Sequence, residues 1–111
     1  MSRRRPSLLV QDMLDSGTKI LYYTRNLTFE EFIDDDKTVD AVIRNFEIIG
    51  EAANRLPEEF RDRHANIDWH KIRGLRNRIV HDYFGIDLSI VWEVKNHYLP
   101  ILIAELSLLD F

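Results

Sequence analysis

Apolar residues spaced four and three apart run through this chain in separate lines, and that spacing limits it to amphipathic helices packed on one another. Leu9, Met13, Ser16, Ile20, Tyr23 and Leu27 make the first line, and Val39, Ile43, Phe46, Gly50 and Ala53, widened by Val42 and Ile49, make the second. The small residues at the end of the second line let another backbone approach closely. Ile72, Leu75 and Ile79 form a third, and Val91, Val94, Tyr98 and Ile101 a fourth. No alternating run persists, and only four glycines and three prolines interrupt the pattern.

Capping signals place the boundaries. The first helix is expected from Pro6 to Asn26, and a short one follows at Thr28–Glu31, where Thr and Glu three apart can cap the first turn reciprocally. The second helix should span Lys37 to Leu56, where Pro57 stops it and opens a short helix through Phe60 to His64. Asp68 is a good N-cap for the third, which Gly85 should end, and Asp87 or Ser89 can cap the fourth. Pro100 lies inside that last helix and should kink it, at about 3 kcal/mol unless packing uses the bend. The expected class is all-α, an up-and-down four-helix bundle with short accessory helices.

With 111 residues, 45% of them hydrophobic, the chain suits a single domain over 1–111 with one core. It has no cysteine, which excludes disulfides and thiolate metal sites and makes the cytoplasm the natural compartment. The N-terminus MSRRRPSLLV is basic, and Arg3-Arg4-Arg5 reads as a frayed terminus. No segment approaches the ~20 apolar residues of a membrane span, so no membrane partner is expected. The net charge of −4 argues against a surface that attracts nucleic acid everywhere, so phosphate binding must be local. One patch qualifies: from Trp69 to His81 stand Lys71, Arg73, Arg76 and Arg78 with His70 and His81, and no carboxylate.

On a continuous helix, Arg73, Arg76, Asn77, Val80, His81 and Phe84 fall within an arc of about 140°, opposite Ile72, Leu75 and Ile79. Asn77 and His81 are four apart and can touch. Arg76 and His81 are five apart, at opposite margins of the arc. A site using both needs a helix end that unwinds near His81, or a second copy of the same face across a two-fold axis. On spacing alone an ordinary solvated helix face is the better account of the charges, and Tyr83 alone reads as a core aromatic with a wet hydroxyl. Val80 and Phe84 tilt the balance, because apolar residues within a basic arc indicate a face partly buried against an acidic partner or a phosphate.

These residues also resemble a known pattern. Arg76-Asn77-Arg78-Ile79-Val80-His81-Asp82-Tyr83 is similar to the Arg, four residues, His, one residue, Tyr signature of the HepT-like toxins, a branch of the HEPN superfamily of metal-independent ribonucleases. FEIIGEAANRLP from Phe46, IDWHKIRGLRNRIVHDYFGID from Ile67 and VWEVKNHYLPIL near the end resemble the family's blocks in the family's order.

The resemblance implies a homodimer in which Arg76 and His81 of both chains line one groove and cleave RNA by attack of a ribose 2′-hydroxyl on its own phosphate. His81 would serve as base or acid and Arg76 as donor to the phosphate oxygens, with Asn77 orienting the imidazole or binding an oxygen. Lys71, Arg73 and Arg78 read as charges that hold the RNA backbone. The resemblance further implies a nucleotidyltransferase antitoxin that adenylylates Tyr83, with no cofactor and no metal.

Other constellations look empty. Glu47 and Glu51 share a face of the second helix, as do Glu93 and His97 of the fourth, but no Glu and Glu-x-x-His set of a di-iron bundle is present. Glu51 is a candidate partner for an arginine of the third helix. The alternative function is a non-catalytic module that docks a nucleotidyltransferase or binds nucleic acid. An intact Arg76, His81 pair favours the enzyme, since docking needs no titrating side chain beside an arginine.

Overall fold

The computed structural model describes residues 4–81 and 85–111, and of residues 76, 79–81, 85 and 86 the backbone alone. The chain is all-α apart from one short strand pairing. Helix α1 (Pro6–Thr24) opens with proline in its first turn and buries Leu9, Met13, Ser16 and Ile20 as its spacing predicts. It ends two residues earlier than expected. Arg25 is extended at φ −59°, ψ 139°, Asn26 takes a positive φ of 62°, and the Leu27 N–H donates to the Thr24 carbonyl at 3.2 Å. This is a type II turn, which needs a residue that tolerates the left-handed region at its third position. Thr24 rather than Tyr23 closes the buried line, its hydroxyl donating back to the Ile20 carbonyl at 2.8 Å.

The short helix α2 (Phe29–Ile33) carries the expected reciprocal cap, Thr28 N–H to Glu31 Oε1 at 2.9 Å and Glu31 N–H to Thr28 Oγ1 at 3.1 Å. Helix α3 (Asp36–Arg55) packs along α1 and buries Val42, Ile43, Phe46, Ile49, Gly50 and Ala53. Gly17 permits close approach, since a Cβ there would lie 3.2 Å from the Ile103 side chain, whereas one on Gly50 would meet the Ile72 carbonyl at 3.5 Å, an ordinary contact. Helix α4 (Glu58–Arg63) follows Pro57.

The third expected helix is broken. Its chain forms α5 (Trp69–Arg73), a break at Gly74, and α6 (Leu75–Ile79). Strand β1 (Val80–His81) then pairs antiparallel with β2 (Gly85–Ile86), Val80 opposite Ile86 and His81 opposite Gly85. Consecutive β-branched Ile79 and Val80 resist helix and suit a strand, so the helix ends six residues before Gly85.

The fourth expected helix is also altered. Asp87 caps α7 (Leu88–Glu93), accepting from the Ser89 N–H at 3.0 Å. A π-helical turn over Val94–Tyr98 then joins it to α8 (Leu99–Ser107). Pro100 has no N–H, and in a regular helix its ring would press on the carbonyl four residues before. The Leu99 N–H instead reaches back to the Val94 carbonyl, which inserts one residue into the helix. The apolar line is therefore Val91, Val94, Leu99, Leu102 and Leu106, and Ile101 is 58% exposed. Trp92 packs its ring 5.0 Å from Phe32, tying α2 to α7, while Lys95 lies with its ammonium 3.5 Å above Trp92.

Candidate active site

Helix α5 starts where the Asp68 carboxylate accepts from the Lys71 N–H at 3.0 Å. Trp69 is buried and donates its Nε1–H to the His64 carbonyl at 3.0 Å, which pins the helix start. Ile72 and Leu75 turn into the core. His70, Lys71, Arg73, Asn77 and Arg78 are left exposed.

The exposed residues divide between two hollows. Arg73 and Asn77, with Asn54, His70 and Gly74, line one of about 240 Å³ beside α3. Lys71 and Arg78 line another of about 240 Å³ beside the π-helical turn and α8, together with Glu93, His97 and Tyr98. The three cations expected along one RNA backbone thus border separate depressions, because the break at Gly74 and the exposed flanks of two short helices replace one continuous arc.

Arg76 lies on α6, and His81 lies beyond its end on β1. The chain leaves the helix after Ile79, so the angular separation of a continuous helix does not apply to this pair. The side chains of Arg76 and His81 fall outside the described atoms, and Tyr83 outside the described residues.

Electrostatics favour the hollow beside α8 for half-buried aromatic contact. The Lys71 ammonium sits 4.2 Å over the Tyr98 ring. Burial first, and then the negative charges of Asp68 and Glu105, push the Tyr98 hydroxyl up to about 12. His97 Nε2 lies 3.4 Å from Glu93 Oε2. Glu51 pairs at 3.7 Å with Arg44 of its own helix. No three metal-ligating side chains gather among the described residues, and none of the helices described is long and apolar enough to cross a membrane.

Sequence reasoning passed over Asn54, His97 and Tyr98 as site residues and placed His70 in the basic patch without a role of its own. A signal existed for Asn54. It follows Gly50, where α3 meets the α5 backbone, by one helical turn, so its side chain borders the same junction.

A short-helix bundle that presents an Arg-x4-His segment at a helix end defines a HEPN-like protein. The family model described as Ribonuclease HepT-like matches residues 13–109, and the chain belongs to that family. It is 36% identical over 107 residues to the Methanocaldococcus jannaschii protein named "Putative RNase MJ0127", covering 96% of this chain and 88% of the relative. It is 37% identical over 91 residues to the "Probable ribonuclease HepT" of Thermococcus cleftensis, covering 82% and 83%. A Caldanaerobacter subterraneus protein, "Putative RNase TTE0752", is 33% identical over 97 residues, 87% of each chain. No solved structure matches the chain.

Proposed function

We propose that this chain, as a single helical domain, is a metal-independent endoribonuclease that acts as a cytoplasmic homodimer and serves as the toxin of a toxin–antitoxin pair. The observation that carries the ribonuclease reading is the helix end between Arg76 and His81, which frees the pair from the angular limit of a continuous helix, while the homodimer is what the resemblance implies. Family membership supports it independently.

In this reading His81 of one subunit takes the proton from a ribose 2′-hydroxyl. The 2′-oxygen bonds to phosphorus, the P–O5′ bond breaks, and the leaving oxygen takes a proton from water, to which the imidazolium then returns the proton it had accepted. Arg76 donates to the phosphate oxygens as charge builds on them, and Asn77 orients an imidazole or adds a donor. Arg73, Lys71 and Arg78 hold flanking phosphates without reading sequence. The nucleotidyltransferase partner silences the site by attaching AMP to Tyr83, whose phosphodiester then competes for the donors RNA needs.

Purified protein should cut single-stranded or tRNA-like RNA in EDTA and leave 2′,3′-cyclic phosphate ends. Cleavage that disappears on chelation and returns with magnesium overturns the mechanism. With the partner enzyme, ATP and magnesium, peptide mass spectrometry should find AMP on Tyr83, and Tyr83→Phe should retain cleavage under the same treatment.

A further inference from the structure

We infer that the hollow between Asn54, His70, Arg73 and Asn77 is a subsite for an RNA phosphate adjacent to the cleaved one, and that Asn54 is a positioning residue that aims Arg73 into it. The inference rests on the ribonuclease reading and gives that reading a second phosphate contact with a built geometry.

The Arg73 Nε–H donates to Asn54 Oδ1 at 3.1 Å, from one α3 turn beyond Gly50. A guanidinium has five N–H donors, so this bond leaves four on the two terminal nitrogens, the fork that fits phosphate oxygens. The partner's chemistry matters. Arg4 is held by both oxygens of Asp12 and Arg44 by Glu51, and each of those cations is neutralised by a carboxylate. Arg73 is held by a neutral amide, and among the described residues no carboxylate pairs with it. Its plane is oriented while its charge stays available to a ligand.

The walls agree with an anion. Gly74 puts no side chain across the hollow, and a Cβ there would crowd the His70 carbonyl at 3.3 Å. Asn77 contributes an amide and immediately follows Arg76 in sequence, so a phosphate on Arg73 is a neighbour of the motif. A larger depression of about 600 Å³ continues past His70 and Arg73 in the other direction, but there Glu58, Asp62 and Asp68 outnumber the one further cation, Arg61. Those carboxylates repel a phosphate chain, which leaves the route along α6 toward Arg76.

The test uses a single-stranded 2′-O-methyl oligoribonucleotide, which cannot be cleaved, and reads binding by fluorescence anisotropy across a salt series. Arg73→Gln should weaken binding about tenfold and lower the slope of log K against log salt by about 0.7, the share of one phosphate on a single strand. Asn54→Asp keeps the bond to Nε but neutralises the guanidinium, so it should match Arg73→Gln in both affinity and slope with an unchanged melting temperature. Asn54→Ala should lose affinity and keep the slope, since the charge remains and only its aim is lost. Arg44→Gln, away from the hollow, should leave both unchanged. Wild-type binding to the probe that Asn54→Asp and Arg73→Gln do not alter overturns the subsite while leaving the ribonuclease reading standing. The predicted shifts without any cleavage of unmodified RNA uphold the subsite and overturn the enzyme. A wild-type chain that does not bind the probe overturns both.

Discussion

Arg76 and His81 lie off the apolar line of Ile72, Leu75 and Ile79, and their substitution separates chemistry from folding. Arg76→Ala should lower cleavage by about 10²- to 10³-fold, the usual cost of one transition-state donor, and His81→Ala should abolish it. Helicity by circular dichroism should stay at the wild-type level in both, and parallel losses of melting temperature and activity would assign the two residues to the fold instead. Tyr98 gives a second single-residue test, in pH. Its folded hydroxyl is pushed up to about 12 from an ordinary 10.0, so folding favours the neutral phenol. That contribution is complete below about 10 and is lost as pH rises through about 12. Lys95, pushed down from 10.5 by burial, acts in the opposite sense, since its cost is full at neutral pH and is relieved as pH approaches 10.5. Tyr98→Phe should therefore flatten the loss of stability on the alkaline side, measured as denaturation midpoint against pH. An unchanged alkaline slope would mean that the hydroxyl ionises as freely in the folded chain as in the unfolded one.

Local rules read from the sequence held where a boundary depended on one or two residues, and failed where two tendencies competed. The Thr28–Glu31 cap, the Asp68 and Asp87 caps and the buried face of α3 follow from spacing and side-chain chemistry alone. Thr28→Ala should accordingly cost about 1 kcal/mol in urea unfolding. A single helix over residues 68–85 does not form, because the strand preference of Ile79-Val80 and the break at Gly74 override the apolar repeat of Ile72, Leu75 and Ile79. Within the candidate site, the Arg-Asn and His positions were legible as a motif, whereas the Asn54 contact to Arg73 required knowing how α3 meets α5. Pro100 was read correctly as a disturbance, but its relief by a π-helical turn shifts the register after Val94 by one residue. That shift makes a sharp prediction. Leu99→Ala should cost about 2 to 5 kcal/mol as a buried truncation, while Ile101→Ala, on an exposed face, should stay within about 0.5 kcal/mol. The reverse ranking would mean that a regular helix runs through Val94–Tyr98.

At the scale of the whole molecule, a chain of net charge −4 attracts RNA only where its cations gather, and the proposed two-fold assembly places two Arg76–His81 segments in one groove. Whether catalysis draws on both subunits at once can be read by mixing inactive proteins. Arg76→Ala and His81→Ala chains, unfolded together at equal concentration and refolded, should form half heterodimers if subunits exchange at random. When Arg76 of one chain serves His81 of the other, each heterodimer keeps one intact pairing and loses the second entirely. Activity should then return to about a quarter of the wild-type level. When each chain instead uses its own Arg76 with its own His81, every pairing in the mixture carries a defect and activity stays at background. Native mass spectrometry of chains carrying different tags verifies that heterodimers formed, so a silent mixture containing them would exclude the cross-subunit site and leave a site within each chain.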